Sequence, residues 1–544
     1  MHLREILINL KVTFRVDKES LPIIEPGQTK TRIDERKGDL ISMQRNILEY
    51  LENSAKCHAE KTAVTDGKTS YSYRELEEFS MRIGSALAGR VNIGEPIAVL
   101  TEKNADAVGI FLGIVQAGAF YSFLNPELPQ KRLEQIQSVL NAKYLITDEE
   151  HLKLAERLTD QNHILMIKGL EKALVNKEEL QCIRSKMIDT DPLYANFTSG
   201  STGVPKGVVV SHRSVIDFID QFSELFSITD SDVIGNQAPF DFDVSVKDIY
   251  TALKSGASLL VIPRNFFSQP KLLLDFICEH KVTTMIWAVS ALCLITAFHG
   301  LDYRIPTTVK RVLFSGEVMP LKHLNIWMEK LPNAEFVNLY GPTEITCNCT
   351  YHHIVRGRDY SRGIPIGKAF PNEEAFLLDE NGLVTEAGKI GEICVRGTAL
   401  ALGYFGNSEQ TEKVFVQNPL NKWYPEKIYR TGDLGTYTTD GEILFKGRKD
   451  FQIKYMGHRI ELEEIEQAVS KIKGVERCCA VFDEEKQRLY GFYIGSIEKK
   501  ELRSQLTGFL PRYMIPGILE QLEAFPLTKN GKTDRRLLLE RKKR

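Results

Sequence analysis

Short runs of apolar, often β-branched residues alternate along the chain with stretches whose apolar residues recur at helical spacing. The runs at 97–100, 144–147, 258–262 and 283–287 have the length of buried strands, and helical stretches follow the first three of them. Such alternation is typical of βαβ units, in which helices cover both faces of a mainly parallel sheet. The pattern therefore predicts an α/β fold for the bulk of the chain.

The pattern changes towards the C-terminus. After about Gly391, strand-like runs are separated by glycines, and an amphipathic helix then follows at 461–472, with short strands at 477–482 and 488–494. We predict a large domain over 43–449 that ends in a β-rich part, and a small mobile α+β domain over 450–544. Residues 1–42 have weak periodicity and are expected to form an N-terminal extension.

Composition excludes several classes of protein. The 544 residues carry a formal net charge of −2, so no basic surplus would drive binding to nucleic acid or to a membrane surface. Hydrophobic residues at 43% and charged residues at 26% are the values of a soluble globular protein. Nine cysteines without paired knuckle spacing indicate reduced thiols. With neither a signal peptide nor a membrane span recognisable, we predict a cytoplasmic protein.

The segment NFTSGSTGVPKGVVVSH at 196–212 is the most informative part of the sequence. Its central ten residues contain three glycines, four hydroxyl side chains and one lysine. Glycines let backbone N–H groups approach an anion, hydroxyls add donors, and a lysine adds charge, so the composition suits a triphosphate. The order differs from that of a Walker loop. The predicted phosphate-binding residues are Thr198, Ser199, Gly200, Ser201, Thr202, Gly203 and Lys206.

This segment resembles the phosphate loop of the adenylate-forming superfamily, which includes acyl-CoA synthetases, luciferases and the adenylation domains of nonribosomal peptide synthetases. The other signature blocks follow in order, and only the N-terminal extension lies outside them. They are GIVQAGAFYSFLNPELPQKR (113–132), FDFDVSVKDIY (240–250), NLYGPTE (338–344), GEICVRGTALALGYFGN (391–407), YRTGDLG (429–435), GRKDFQIKYMGHRIELEEIE (447–466) and LTKNGKTDRR (527–536).

The resemblance implies that a carboxylate attacks the α-phosphorus of ATP in the presence of Mg²⁺. Negative charge then spreads over the phosphate oxygens, so the reaction needs cations and aligned donors. It also assigns roles. Tyr340, in a block that includes Asn338 and Gly341, would stack on adenine, and Asp433 and Arg448 would bind the ribose. Thr343 would bind the α-phosphate and Glu344 would hold Mg²⁺. The catalytic residues would be Lys206, Thr343 and Lys529, with Lys532 as the nearby alternative to Lys529.

The same resemblance implies a second half-reaction. Asp450 aligns with the hinge about which the C-terminal domain rotates, and in the second orientation the loop YMGHRIE would face the active site. Gly457 in that loop would leave room for a pantetheine arm. A thiol acceptor follows, and we expect it to be the phosphopantetheine of a separate carrier protein.

The block around Asp243 indicates which carboxylic acid is activated. In amino-acid-activating relatives an aspartate at this position binds the α-ammonium of the substrate, and the residues that follow favour Asp243 over Asp241. Trp287 is expected to fill the pocket, which favours glycine first and alanine second, whereas Lys247 leaves glutamate or aspartate open. The predicted pocket consists of Asp243, Val244, Lys247, Trp287, Leu313, Ser315, Gly316, Leu339, Cys347 and Asn348.

The whole chain is most similar to D-alanine–carrier protein ligases and to a related glycine–carrier protein ligase, although the D-alanine enzymes typically have cysteine where this chain has Ser315. We therefore predict an AMP-forming ligase that loads a small amino acid onto a carrier protein, for aminoacylation of lipid A or teichoic acid in the cell envelope. The alternatives are a stand-alone enzyme for glutamate or aspartate in nonribosomal peptide synthesis, and an acyl-CoA synthetase. A non-catalytic relative is disfavoured because the expected catalytic residues are present.

Overall fold

Strands and helices alternate through most of the chain in a computed structural model of the protein. The structure describes residues 31–33, 40–42, 44–200, 203–527 and 533–543. The chain divides into two compact units, Met1–Gln44 and Arg45–Arg544. In the first unit, strand β1 (Thr31–Ile33) pairs antiparallel with β2 (Leu40–Ser42). The remaining elements belong to the second unit.

The first part of the second unit packs helices onto strands. At the start of helix α2 the Ser72 hydroxyl accepts a hydrogen bond from the Glu75 backbone N–H, and the Glu75 carboxylate accepts one from the Ser72 backbone N–H, so both N-terminal donors are satisfied. The elements are α1 (Leu48–His58), β3 (Thr62–Thr65), β4 (Ser70–Ser72), α2 (Tyr73–Leu87), β5 (Pro96–Leu100), α3 (Ala105–Gln116), β6 (Phe120–Phe123), α4 (Gln130–Leu140), β7 (Tyr144–Thr147), α5 (Leu152–Leu158), β8 (Ile164–Met166), α6 (Ile167–Leu170), α7 (Lys177–Lys186), β9 (Pro192–Thr198), β10 (Lys206–Ser211) and α8 (His212–Leu225).

The second part continues the alternation. Helix α10 begins with a proline, whose missing N–H costs nothing at that position. The elements are β11 (Val233–Asn236), α9 (Val244–Ser255), β12 (Ser258–Val261), α10 (Pro270–Glu279), β13 (Thr284–Ala288), α11 (Val289–Ala297), α12 (Gly300–Tyr303), β14 (Arg311–Ser315), α13 (Leu321–Lys330), β15 (Glu335–Tyr340), β16 (Thr350–His353) and β17 (Lys368–Ala369).

The last part is richer in strands. It contains β18 (Glu373–Leu378), β19 (Gly391–Gly397), β20 (Gly403–Tyr404), α14 (Ser408–Val414), β21 (Phe415–Gln417), β22 (Lys427–Tyr437) and β23 (Ile443–Arg448). After the expected hinge come β24 (Gln452–Tyr455), β25 (His458–Glu461), α15 (Leu462–Ser470), β26 (Val475–Asp483), β27 (Arg488–Gly495), α16 (Lys499–Leu506), β28 (Ile518–Gln521) and α17 (Arg535–Lys543).

The strands form three larger sheets and two smaller ones in the second unit. One sheet has the order β20-β10-β9-β6-β5-β7-β8 and another the order β17-β16-β15-β14-β13-β11-β12-β3-β4. The strands from β9 to β8 in the first order and from β15 to β3 in the second are parallel neighbours. Strands β18, β19, β21, β22 and β23 form an antiparallel sheet. Further along the chain, β24 pairs with β25, and β26, β27 and β28 form a three-stranded sheet. The predicted α/β class, with a β-rich part and a smaller C-terminal part, is confirmed.

The expected domain boundaries after residues 42 and 449 stay a prediction. Strand β23 ends just before residue 449, and β24 begins just after it. Across the described part of the chain, no helix combines the length and the apolar character needed to cross a bilayer. All nine cysteines are free thiols.

Candidate active site

The C-terminal end of β15 gathers the residues predicted to hold the nucleoside. Tyr340 ends the strand, and its hydroxyl donates a hydrogen bond of 2.5 Å to Asp433 Oδ2. Asp433 on β22 lies opposite Arg448 on β23, whose guanidinium bonds the other carboxylate oxygen. Arg448 also bonds both oxygens of Asp450, at 2.7 and 2.8 Å. Burial, and then the charge of Asp433, raise the pKa of Tyr340, so its hydroxyl stays a donor.

The turn after β15 positions Glu344. A Cβ on Gly341 would lie 2.4 Å from the Asn348 Cα, so only glycine lets the two backbone segments approach. The Glu344 side chain is fully buried and accepts a hydrogen bond of 2.7 Å from the Tyr404 hydroxyl. Asn338 points elsewhere, because its amide donates to the Pro365 carbonyl at 2.8 Å. The turn therefore brings a buried carboxylate to the edge of the nucleoside cluster.

The predicted phosphate loop connects the antiparallel strands β9 and β10. Thr198 and Lys206 are paired across the ladder, and between them the Gly203 N–H bonds the Gly200 carbonyl at 2.8 Å. The Thr198 hydroxyl is buried and has no hydrogen-bond partner among the described residues. The Lys206 ammonium lies 5.4 Å from the centre of the Tyr404 ring. An unpartnered donor and a lysine at one loop fit the expected phosphate ligand.

Four predicted residues lie outside the part of the chain that the structure describes. They are Ser201, Thr202, Lys529 and Lys532. Their roles stay predictions.

The start of α9 holds the residues expected to contact the substrate. Asp243 is buried, and burial raises the pKa of its carboxyl. The charge of Lys247 acts in the opposite direction and only partly offsets this rise. The Cys347 thiol donates to the Asp243 carbonyl at 3.0 Å, and the Lys247 ammonium donates to Asn348 Oδ1 at 2.5 Å. Asp241 has a different partner, the Asn125 amide, at 3.3 Å. Asp243, Lys247, Cys347 and Asn348 therefore lie together at the start of α9.

The prediction that Trp287 fills this pocket is wrong. The Trp287 indole is buried on the other face of β13, where Nε1 donates to the Gly235 carbonyl at 2.7 Å and the ring packs against Phe267. Because side chains alternate along a strand, the residues that share the face of Leu313 and Ser315 are Ile286 and Ala288, their partners across the ladder. The periodicity of two within the run 283–287 was the signal that could have identified them.

The remaining predicted pocket residues lie near this face. Leu313 and Leu339 pack in the same hydrophobic core as Ile286, whereas Trp287 belongs to a second core with Phe314. Ser315 is buried, Val244 is half-buried, and the space beside Gly316 is open to a distance of 4 Å. The sheet face, rather than the indole, therefore limits the pocket.

Residues 454–461, which we call the 454–461 hairpin, lie against the same site. The Lys454 ammonium is 5.6 Å from the centre of the Tyr340 ring. The Gly457 N–H donates to Glu317 Oε1 at 3.0 Å, and the Ser199 hydroxyl donates to the Arg459 carbonyl at 2.9 Å. Arg459 Nη1 contacts both oxygens of Glu344. The family resemblance predicts that this loop faces the site, but no pattern in the sequence indicates the contacts of Lys454, Arg459 and Tyr404.

Comparison with known proteins decides the family. Residues 51–405 match the family described as AMP-binding enzyme, and residues 464–532 match the AMP-binding enzyme C-terminal domain. The chain belongs to the AMP-binding enzyme family. The resemblance to the adenylate-forming superfamily is thereby confirmed.

Relatives of this AMP-binding enzyme include parts of much larger proteins. Zwittermicin A synthase ZmaJ of Bacillus cereus is 34% identical over 88% of this chain and 92% of its own length. Surfactin synthase subunit 1 of Bacillus subtilis is 31% identical over 91% of this chain, which spans only 14% of that protein. Among solved structures, holo-PA1221, a nonribosomal peptide synthetase protein with adenylation and PCP domains, shares the fold, with a TM-score of 0.78, 24% identity and coverage of 91% of this chain and 84% of PA1221.

Proposed function

We propose that the protein adenylates an amino acid with ATP and then transfers the aminoacyl group to the phosphopantetheine thiol of a separate carrier protein. The buried carboxylate of Asp243 carries the amino-acid part of this proposal. A buried carboxylate requires a cationic or hydrogen-bonding partner, and the α-ammonium of an amino acid provides both. The neighbouring ammonium of Lys247 lowers the pKa of Asp243 through its charge, but it donates its hydrogen bond to the Asn348 side chain.

In the first half-reaction, an oxygen of the substrate carboxylate attacks the α-phosphorus, and the bond from that phosphorus to the pyrophosphate oxygen breaks. Lys206 and Thr343 would donate to the phosphate oxygens, where negative charge accumulates. Lys529 would bridge the substrate carboxylate and the α-phosphate. Tyr340, Asp433 and Arg448 would fix the adenosine. The family resemblance supports these assignments.

Glu344 suits a magnesium ion because Mg²⁺ is usually held by one or two carboxylates together with phosphate oxygens. The described residues contain no group of three or more histidine, cysteine or acidic side chains that could hold a metal alone. Glu344 is kept ionised, because the charges of Arg459 and Lys206 and the Tyr404 hydroxyl outweigh burial and bring its pKa to about 2. When bound there, Mg²⁺ would neutralise phosphate charge.

In the second half-reaction, the thiol sulfur attacks the carbonyl carbon, the bond to the AMP oxygen breaks, and a thioester forms. The position of the 454–461 hairpin supports this step. At Gly457, φ is +79° and an added Cβ would lie 3.4 Å from the Ala288 Cβ, so the turn of the hairpin lies close to the pocket face of β13. A residue without a side chain at this turn leaves room for the thiol of a pantetheine arm.

The identity of the amino acid depends on the pocket face of β13. A preference for glycine and then alanine loses its main argument, because Trp287 points away from the pocket. The buried ammonium of Lys247 favours a second candidate, an amino acid with an acidic side chain such as glutamate or aspartate. Delivery to lipid A or teichoic acid stays a prediction.

Amino-acid-dependent exchange of pyrophosphate into ATP tests the role of Asp243. We expect Asp243→Asn to lower the exchange rate at least about a hundredfold, because an amide cannot neutralise the α-ammonium. The matched control is Asp241→Asn, two residues earlier and bonded to Asn125, which should stay within about threefold of the wild type. Equal loss in both variants, or full exchange in Asp243→Asn, would contradict the proposed role.

A further inference from the structure

Arg459 occupies the place that the proposed function assigns to a metal ion. Its Nη1 lies 2.9 and 2.8 Å from the two oxygens of Glu344. Both side chains are largely withdrawn from solvent, with Glu344 at 0% and Arg459 at 16% exposure. A guanidinium held by both oxygens of a carboxylate is a strong charge-assisted pair. In this arrangement Glu344 has no oxygen left free of Arg459 for another cation.

Glu461, two residues further along the same hairpin, lies near the lysine to which the proposed function assigns phosphate. Its Oε1 lies 4.0 Å from the Lys206 ammonium, and both side chains are nearly buried. The Gln452 amide also donates to Glu461 Oε1 at 2.6 Å, which fixes the carboxylate on the short β24–β25 ladder. Lys206 is the cation expected to bind phosphate, so the Glu461 carboxylate lies near the side chain that would attract a phosphate group.

We propose that Arg459 and Glu461 act together as an internal substitute for magnesium pyrophosphate. This inference rests on the proposed function, because that function assigns Mg²⁺ to Glu344 and phosphate to Lys206. The hairpin presents the guanidinium of Arg459 to Glu344 and the carboxylate of Glu461 to Lys206. These are the charges that a magnesium ion and a pyrophosphate would bring to the same two side chains.

The substitution makes two states mutually exclusive. The hairpin docks only after magnesium and pyrophosphate have left, and magnesium pyrophosphate binds only when the hairpin has withdrawn. Arg459 and Glu461 are thus positioning residues, which couple release of the first product to the orientation needed for thiol transfer. Magnesium pyrophosphate binds only to molecules whose hairpin has withdrawn, so its apparent affinity is reduced in proportion to the fraction of such molecules. Removal of the docking charges increases that fraction and should strengthen the binding of magnesium pyrophosphate.

Calorimetric titration with magnesium pyrophosphate alone, without ATP or amino acid, tests this inference. We expect Arg459→Ala to bind magnesium pyrophosphate about tenfold more tightly than the wild type, with Arg459→Lys between them. Glu461→Gln, which keeps the side-chain shape, should also bind more tightly. Arg541→Ala, which removes the ion pair of the exposed Arg541 with the half-buried Glu520 at 3.2 Å, is the matched control and should leave the affinity unchanged.

Hydrogen exchange of the 454–461 backbone amides provides a second measurement. Magnesium pyrophosphate should accelerate this exchange in the wild type, because the hairpin undocks, and should change it little in Arg459→Ala. A merely structural Arg459 would instead give unchanged or weaker pyrophosphate binding and a hairpin that does not respond.

The two proposals fail in different ways. Unchanged or weaker affinity in Arg459→Ala and Glu461→Gln, in a protein that catalyses amino-acid-dependent exchange, would overturn the internal substitute alone. Absence of magnesium pyrophosphate binding in every variant, together with absence of exchange, would overturn the proposed function and this inference with it.

Discussion

At the scale of single residues, the site is dominated by buried charges that each have a specific partner. Asp433 pairs with Arg448, Glu344 with Arg459, and Lys247 donates to Asn348. A buried charge without such a partner would cost several kcal/mol. A charged ligand that displaces one member of a pair must therefore supply the compensating charge itself. Trp287, on the opposite face of β13, packs in a separate core and contributes to stability rather than to charge recognition.

The location of Trp287 gives a prediction that separates stability from specificity. Trp287→Ala should lower the free energy of unfolding by about 3–5 kcal/mol, because it leaves a cavity and the Gly235 carbonyl without its donor. The ranking of amino acids in pyrophosphate exchange should not change.

Denaturant unfolding and the exchange assay on the folded fraction check this prediction. Trp327→Ala, at another fully buried tryptophan of the same core, is the matched control and should behave alike. A shift of preference towards larger amino acids in Trp287→Ala, absent from Trp327→Ala, would restore the indole to the pocket.

At the scale of elements, the site is built where strand ends meet a hairpin from the C-terminal part. Strands β13, β14 and β15 are parallel neighbours, so their C-terminal ends place Ala288, Ser315 and Tyr340 along one edge. The 454–461 hairpin covers that edge, and its turn at Gly457 has a positive φ that favours glycine. Access to the edge therefore depends on the size of the side chain at that turn.

Gly457→Leu should separate the two half-reactions. Pyrophosphate exchange should stay within about threefold of the wild type, whereas formation of an aminoacyl thioester with phosphopantetheine should fall at least about tenfold, because the side chain would obstruct access to that edge. Gly441→Leu is the matched control, since φ is also +79° there but an added Cβ meets nothing within 4 Å. An equal loss of thioester formation in both variants would show that backbone strain, rather than the position of the side chain, is the cause.

The sequence was sufficient for the fold class and for most of the residues that meet at the site, because strand and helix periodicities differ and the motif residues stand at strand ends. It was insufficient at Trp287, where a shift of one position moves a side chain to the opposite face of the sheet. It also missed Arg459, Lys454 and Tyr404, since contacts between segments so far apart in sequence depend on how the C-terminal part packs.

At the scale of the whole molecule, three regions distant in sequence supply the site. The parallel sheet supplies Tyr340 and Glu344, the antiparallel sheet supplies Asp433, and the C-terminal part supplies the 454–461 hairpin. A buried ion pair between Arg132 on α4 and Glu464 on α15 also joins the C-terminal part to the rest. A site shared between two packed parts is suited to two successive reactions, because a change in their packing changes which groups reach the substrate.

The central claim is that the protein activates a carboxylic acid that carries an α-ammonium group. The most direct measurement is pyrophosphate release from ATP and Mg²⁺ by the wild-type protein, with amino acids compared to matched acids that lack the amino group. Glycine would be paired with acetate, alanine with propionate, and glutamate with glutarate. We predict release with at least one amino acid, at a rate at least about a hundredfold above that of its deaminated counterpart. Release with acids alone, or equal release within a pair, would contradict the role of Asp243 and favour an acyl-CoA synthetase.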